Sequence, residues 1–224
     1  MEKSVKSPAK TRVRLDAGQI VHHAIRLIED EGLDNFSTRI LGKAMGVEAM
    51  AIYHYFASKD RLLDAVSGKL VSEIGYPPRT GNWRADMEMA GRQYYAVAKR
   101  YPRCFPLLAM RRFNSPETLG MLDHIFSILE AAGLPPAEIA KGFRMMGYFL
   151  SGAGLAYGAT MQAARREDFI LPNPDFLASY PVVSRTIPHL GADNLDAIFE
   201  AGLNAMLDGI AGLIEHGERS HAPD

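Results

Sequence analysis

The 224-residue chain predicts an all-α protein, with an N-terminal three-helix helix-turn-helix bundle followed by a larger helical domain. Three observations predict it. Apolar residues recur at three- and four-residue spacing along most of the chain, and no segment alternates with the period of two that marks a half-buried strand. Ser, Asp or Asn opens several of these segments and Gly closes them, which is how helices begin and end. Residues 37–56, STRILGKAMGVEAMAIYHYF, read as two short helices joined at a glycine bend. A second short helix with a rich exposed face is the form that enters the major groove of DNA.

Taken in order, the first helix is expected from Leu15 to Glu31, capped by Asp16 with Gln19 at the capping-box position, and ended by Gly32. Ile20, Ala24, Leu27 and Ile28 form its inner stripe. Ser37 caps the next helix, whose expected inner face is Ile40, Leu41, Ala44 and Met45. Gly46 takes the left-handed turn. The following helix, about two turns, sends Ile52 and Phe56 inward. That leaves Glu48, Ala49, Met50, Tyr53 and His54 outside. Ser58 caps a fourth helix with Leu62, Leu63, Val66 and Leu70 inward.

Residues 75–81, GYPPRTG, break the pattern and mark a boundary. Asn82 then caps a helix to about Arg100, with Met87, Ala90, Tyr94, Val97, Ala98 and Tyr101 as its stripe. A short connector follows. Pro116 opens a helix with Leu119, Leu122, Ile125, Phe126 and Leu129 inward. Pro136 opens the longest helix, roughly 40 Å to Ala164 at 1.5 Å per residue. Its middle is apolar nearly all round, so burial on most sides is expected. Residues 168–189 carry four prolines and no helical period. Asp193 caps the last helix, with Leu195, Ile198, Gly202, Ala205, Met206, Gly209 and Leu213 along one side and Gly217 at its end. The expected organisation is a basic arm at 1–14, a DNA-binding domain at 15–74 and a helical domain at 82–217.

Composition narrows the function. An apolar fraction of 47% supplies a core, and a formal charge of −1 gives no global attraction to nucleic acid or membrane. The charge is local: residues 1–14 hold Lys3, Lys6, Lys10, Arg12 and Arg14 against Glu2, which suits phosphate contacts. The lone Cys104 excludes an internal disulfide framework and fits a reducing compartment. The N-terminus is polar and charged, with no apolar run long enough for a signal peptide or a membrane span, so a cytoplasmic protein is expected. The histidines show no metal-binding spacing. Ser151 lacks a strand–turn–helix elbow, and the glycines 152–158 follow no strand. No enzyme, no metal and no cofactor are therefore expected.

The pieces TRILGKAMGV, IYHYF and SKDRLLDAV within residues 15–71 resemble the N-terminal domain of TetR-family transcriptional regulators. Residues 82–160, with NWRADM and AAGLPPAEIAKGF, more loosely resemble the C-terminal domain of the tetracycline-repressor branch. The resemblance implies that Thr38 contacts a phosphate and Arg39 a base edge, where a guanidinium can bridge guanine O6 and N7. It implies that Glu48, Ala49, Met50 and Ala51 face the bases, that Tyr53 and His54 contact phosphates, and that Lys59 adds a cation at a helix start. The Ala-Met-Ala face departs from the common pattern. It touches thymine methyls and reads little else, so Arg39 and DNA shape carry more of the specificity. The implied function is a repressor released from double-stranded DNA by a small apolar effector. The competing class is an all-helical enzyme or carrier with an incidental N-terminal bundle.

Two further features have two readings each. Tyr94, Phe105, Met110, Phe113, Met145, Phe149 and Tyr157 are candidates to line an effector cavity, or are ordinary core. The small residues Gly147, Ser151, Gly154 and Gly158 on the long helix, with Ala201, Ala205 and Gly209 on the last, allow close helix approach. Either the two helices pair with their copies in a homodimer, matching a palindromic operator, or they pack within one chain.

Overall fold

The computed structural model describes residues 15–76, 79–110, 116–164 and 177–220. The basic arm, Phe113 and the first part of the proline-rich loop lie outside the described residues. Among those described, every regular element is helical: α1 (Ala17–Glu31), α2 (Thr38–Met45), α3 (Ala49–Tyr53), α4 (Lys59–Ile74), α5 (Trp83–Arg100), α6 (Phe105–Met110), α7 (Pro116–Ala131), α8 (Pro136–Ala164), α9 (Pro181–Thr186) and α10 (Leu195–Ser220).

The caps form as the side chains dictate. The Asp16 carboxylate accepts the Gln19 N–H at 2.8 Å, and the Ser37 and Ser58 hydroxyls accept those of Ile40 and Arg61, each at 3.2 Å. Asn82 accepts from Arg84 and Ala85. Gly46 has φ +68°, the left-handed conformation the turn requires. The turn depends equally on Gly42, where a Cβ would stand 2.8 Å from the carbonyl oxygen of Val47. Ile20, Ala24, Ile28, Phe36, Leu41, Ile52, Leu62 and Val66 close the core of the N-terminal bundle.

In the larger domain α8 runs against α5 on one side and α10 on another, while α6 and α7 pack beside α4. Two connections fasten the N-terminal bundle to it. Helix α4 continues out of the bundle and buries Leu70, Val71 and Ile74. The Glu29 carboxylate on α1 accepts the backbone N–H groups of Arg103 and Cys104 at 3.1 and 2.7 Å. The Arg103 guanidinium in turn donates to the carbonyls of Glu29 and Asp30. The link after α4 is strapped down. Tyr76 meets the His124 ring edge-on, Arg79 donates to the Ser127 carbonyl, and Thr80 donates both N–H and hydroxyl to Asp86, which is only 2% exposed.

Several expected faces are turned. On α2, Ile40 and Ala44 are exposed, and only Leu41 and Met45 point inward. Helix α3 has five residues, with His54 as its C-cap, rather than two full turns. On α5, Tyr95 is buried and Tyr94 half-buried. On α7 the inner face is Thr118, Met121, Ile125, Ile128 and Leu129, and Leu119 is 58% exposed. Helix α8 is not buried on most sides: Tyr148 and Leu155 are exposed. The stripe read along one side of α10 is divided: Ile198, Ala205 and Gly209 are exposed, Leu195, Gly202, Met206 and Leu213 are half-buried, and Phe199, Leu203, Leu207 and Ile210 make the fully buried contacts. That helix also continues past Gly217 to Ser220. On α7 and α10 apolar residues stand on more than one side, and spacing alone does not choose between them.

Gly42→Ala, pressing a methyl on a backbone oxygen, should cost about 1–3 kcal/mol in thermal melts and weaken DNA binding. The hydrogen bond from the Thr80 hydroxyl is the main reason the Asp86 carboxyl is held below the usual range. A carboxylate with a lowered folded pKa stabilises above its unfolded value and loses that contribution as pH falls through the folded one. Thr80→Val should therefore cost about 1 kcal/mol at neutral pH, with the melting difference beginning to shrink near pH ~4 and closing only as pH falls through the lower folded value.

Candidate nucleic-acid interface and internal cavity

The residues expected at DNA gather on one side of the N-terminal bundle. Arg39 stands exposed in the first turn of α2, and Glu48, Met50, Tyr53 and His54 are exposed around α3, with Ala49 and Ala51 partly so. Met50 is 66% exposed, a thioether with no core to enter. The Thr38 and Tyr53 hydroxyls lie 3.0 Å apart, joining the start of α2 to the end of α3, with Thr38 buried and Tyr53 exposed. One O–H is used between them and the other remains to donate, which suits a phosphate oxygen. The Lys59 ammonium is tied back: it donates to the Phe36 carbonyl at 2.7 Å and sits 5.5 Å over the Phe36 ring. Lys59 thus holds the approach to α2 as well as bringing positive charge to the face. Tyr55, which the sequence reading passed over, donates its hydroxyl to the Leu15 carbonyl and fixes the end of α3 to the start of α1. Its position beside Tyr53 in the IYHYF run is the only sequence signal for it.

A cavity of about 180 Å³ opens between α5, α7 and α8. Ile74 and Gly75 at the end of α4 and Leu108 and Ala109 of α6 complete its wall, with Met87, Met121, Met146 and Phe143 as the larger apolar groups. Among the described residues, Tyr94 is the one candidate lining residue that reaches it. Its hydroxyl lies 3.3 Å from that of Ser151, and burial raises the phenol above its ordinary range, so it stays a neutral donor. The other described candidates lie elsewhere. Phe105 is fully buried against Gly154 and Ala98, and Met110 is 78% exposed. Met145 faces Gly209, Phe149 stacks on Phe199 against Gly202, and Tyr157 packs edge-on to Tyr95. An aromatic or methionine side chain anywhere in these helices meets the same composition rule, and only direction separates cavity from core. His124, Arg144 and Tyr148, which also line the space, carried no such signal.

The small residues of α8 divide. Gly154 and Gly158 admit Phe105 and Pro102 of the same chain, while Gly147 and Ser151 face the cavity. The outward side of α8 is instead Gly152, Leu155, Ala156 and Ala159. On α10, Ala201, Ala205 and Gly209 are exposed, although Gly209 also lies close to Met145.

Comparison with known proteins finds similarity along most of the chain. Residues 20–66 match the family model of bacterial regulatory proteins, tetR family, and residues 77–214 that of the tetracyclin repressor-like C-terminal domain. The HTH-type transcriptional repressor DrrR1 of Streptomyces coeruleorubidus is 25% identical over 224 residues, covering 93% of this chain and 82% of that protein. The class A tetracycline repressor of Escherichia coli is 25% identical over 202 residues, covering 88% and 91%. Among solved structures, a possible TetR-family regulator from Streptomyces coelicolor A3(2) superposes with a TM-score of 0.77 at 26% identity, covering 88% of this chain and all of that one.

Proposed function

We propose a working mechanism for this chain, which belongs to the TetR family of bacterial regulatory proteins and is a ligand-responsive DNA-binding regulator. Two copies pair through α8 and α10 and present their α3 helices to successive major-groove half-sites of a palindromic operator, acting as a cytoplasmic repressor. Arg39 reads a base edge, Met50, Ala49 and Ala51 touch thymine methyls, Glu48 opens the reading face, and the Thr38–Tyr53 hydroxyls with His54 hold phosphates. A small effector entering the cavity presses on the end of α4 and favours a state whose two reading heads are wrongly spaced. The observation that carries this reading is that α4 lies in both places: Leu62, Leu63 and Val66 are in the DNA-side core, and Ile74 is in the cavity wall.

Pairing is supported by the outward side of α10. Its stretch Leu195–Glu215 is apolar enough by composition to cross a bilayer, yet only 22% of it is buried within the chain. A second copy would cover it. The exposed Ala201, Ala205 and Gly209, with Leu155, Ala156 and Ala159 of α8, supply small surfaces for close approach. Gly154 and Gly158 are already engaged within the chain.

Titration against an operator selected from random duplexes tests the DNA face. Arg39→Ala should lose about 1–3 kcal/mol and relax preference at one position, and an unchanged affinity would remove Arg39 from base reading. Lys59→Ala should weaken all duplexes alike while lowering the melting temperature, because the Phe36 anchor goes with it. Sedimentation should show a dimer at micromolar concentration, converted to monomer by Ala205→Glu. A wild-type monomer would defeat the paired arrangement.

A further inference from the structure

The charge distribution around the cavity says what kind of molecule belongs there. Its polar lining groups are the Tyr94 and Ser151 hydroxyls, His124, Arg144 and Tyr148, and no carboxylate lines it among the described residues. Arg144 is on the exposed side of α8 at the rim, 5.8 Å over the exposed Tyr148 ring. It makes no ion pair among the described residues, whereas Arg84, Arg92, Lys99 and Arg100 of neighbouring α5 each hold a carboxylate. A guanidinium braced by an aromatic face beside an apolar cavity presents a fork of N–H donors that fits a carboxylate or sulfonate. A cationic molecule would meet like charge there and no anion to receive it. Behind the rim, thioethers and Phe143 suit the faces of a flat ring system.

We propose that the effector is a small aromatic acid, its rings in the cavity and its anionic group paired with Arg144 at the mouth. The proposal rests on the reading of this cavity as the effector site. Arg144 is then a specificity residue that selects acids over neutral or cationic molecules of the same shape.

Two fluorescent probes with the same rings separate the possibilities: 1-anilinonaphthalene-8-sulfonate and its uncharged parent N-phenyl-1-naphthylamine. Each is titrated into the full chain and three variants. Arg144→Ala should weaken the sulfonate about tenfold, the scale of one charge-assisted pair, and the uncharged probe less than about twofold on the same reasoning. Arg144→Lys should recover part of the loss. Added salt should weaken only the sulfonate. A Cβ at Gly147 meets nothing within 4 Å, so Gly147→Leu fills space without displacing a neighbour and should reduce both probes. If Arg144→Ala changes both probes equally, or neither, the acid assignment is overturned while the cavity stands. If Gly147→Leu leaves both probes bound as before, the cavity is not the site, and the acid assignment falls with it.

Discussion

The whole chain depends on α4 being buried twice. Its first half sends Leu62, Leu63 and Val66 into the core formed with α1, α2 and α3, and its second half sends Leu70, Val71 and Ile74 against the larger domain. Each fully buried aliphatic side chain of this kind stabilises by about 1.5–3 kcal/mol, so neither end is free to detach. Helix α4 runs unbroken from Lys59 to Ile74 and contains no proline, with Ser67 and Gly68 at its middle as the point where it can flex. The Glu29 carboxylate makes the arrangement two-legged, since α1 is held to the start of α6 at the same time. Ile74 in the cavity wall and Leu62, Leu63 and Val66 in the N-terminal core are thus parts of one helix.

The sequence made the punctuation of the fold legible and its facing much less so. Asp16, Ser37, Ser58 and Asn82 all cap the helices they precede, because a cap is a local hydrogen bond that needs nothing from the rest of the chain. Gly46 in the left-handed region is local in the same sense. Gly42 is not: its need arises from Val47 folding back, which no spacing rule announces. The exposed side of α3 was legible because Ile52 alone had to go in, and the rest of a five-residue helix then had to go out.

Facing failed where helices are apolar all round. On α7 and α10 the stripe one position away serves as well by composition, and the choice is made by neighbours distant in sequence. The same blindness misdirected the cavity residues. Phe149 and Phe105 are as large and apolar as Phe143, but Gly202 and Gly154 leave them hollows in the core, and only Phe143 borders open space. Arg144 was invisible for the opposite reason. A charged residue on a helix is ordinarily solvated surface, and its meaning comes from the Tyr148 ring beside it and from a cavity wall that holds no carboxylate among the described residues.

The two-sided character of α10 has a consequence for the life of the molecule. Phe199, Leu203, Leu207 and Ile210 occupy one side, and Ile198, Ala201 and Ala205 stand on another. No rotation of the helix hides both from water. In the pairing proposed for this chain, a copy on its own therefore leaves one of the two apolar strips in water.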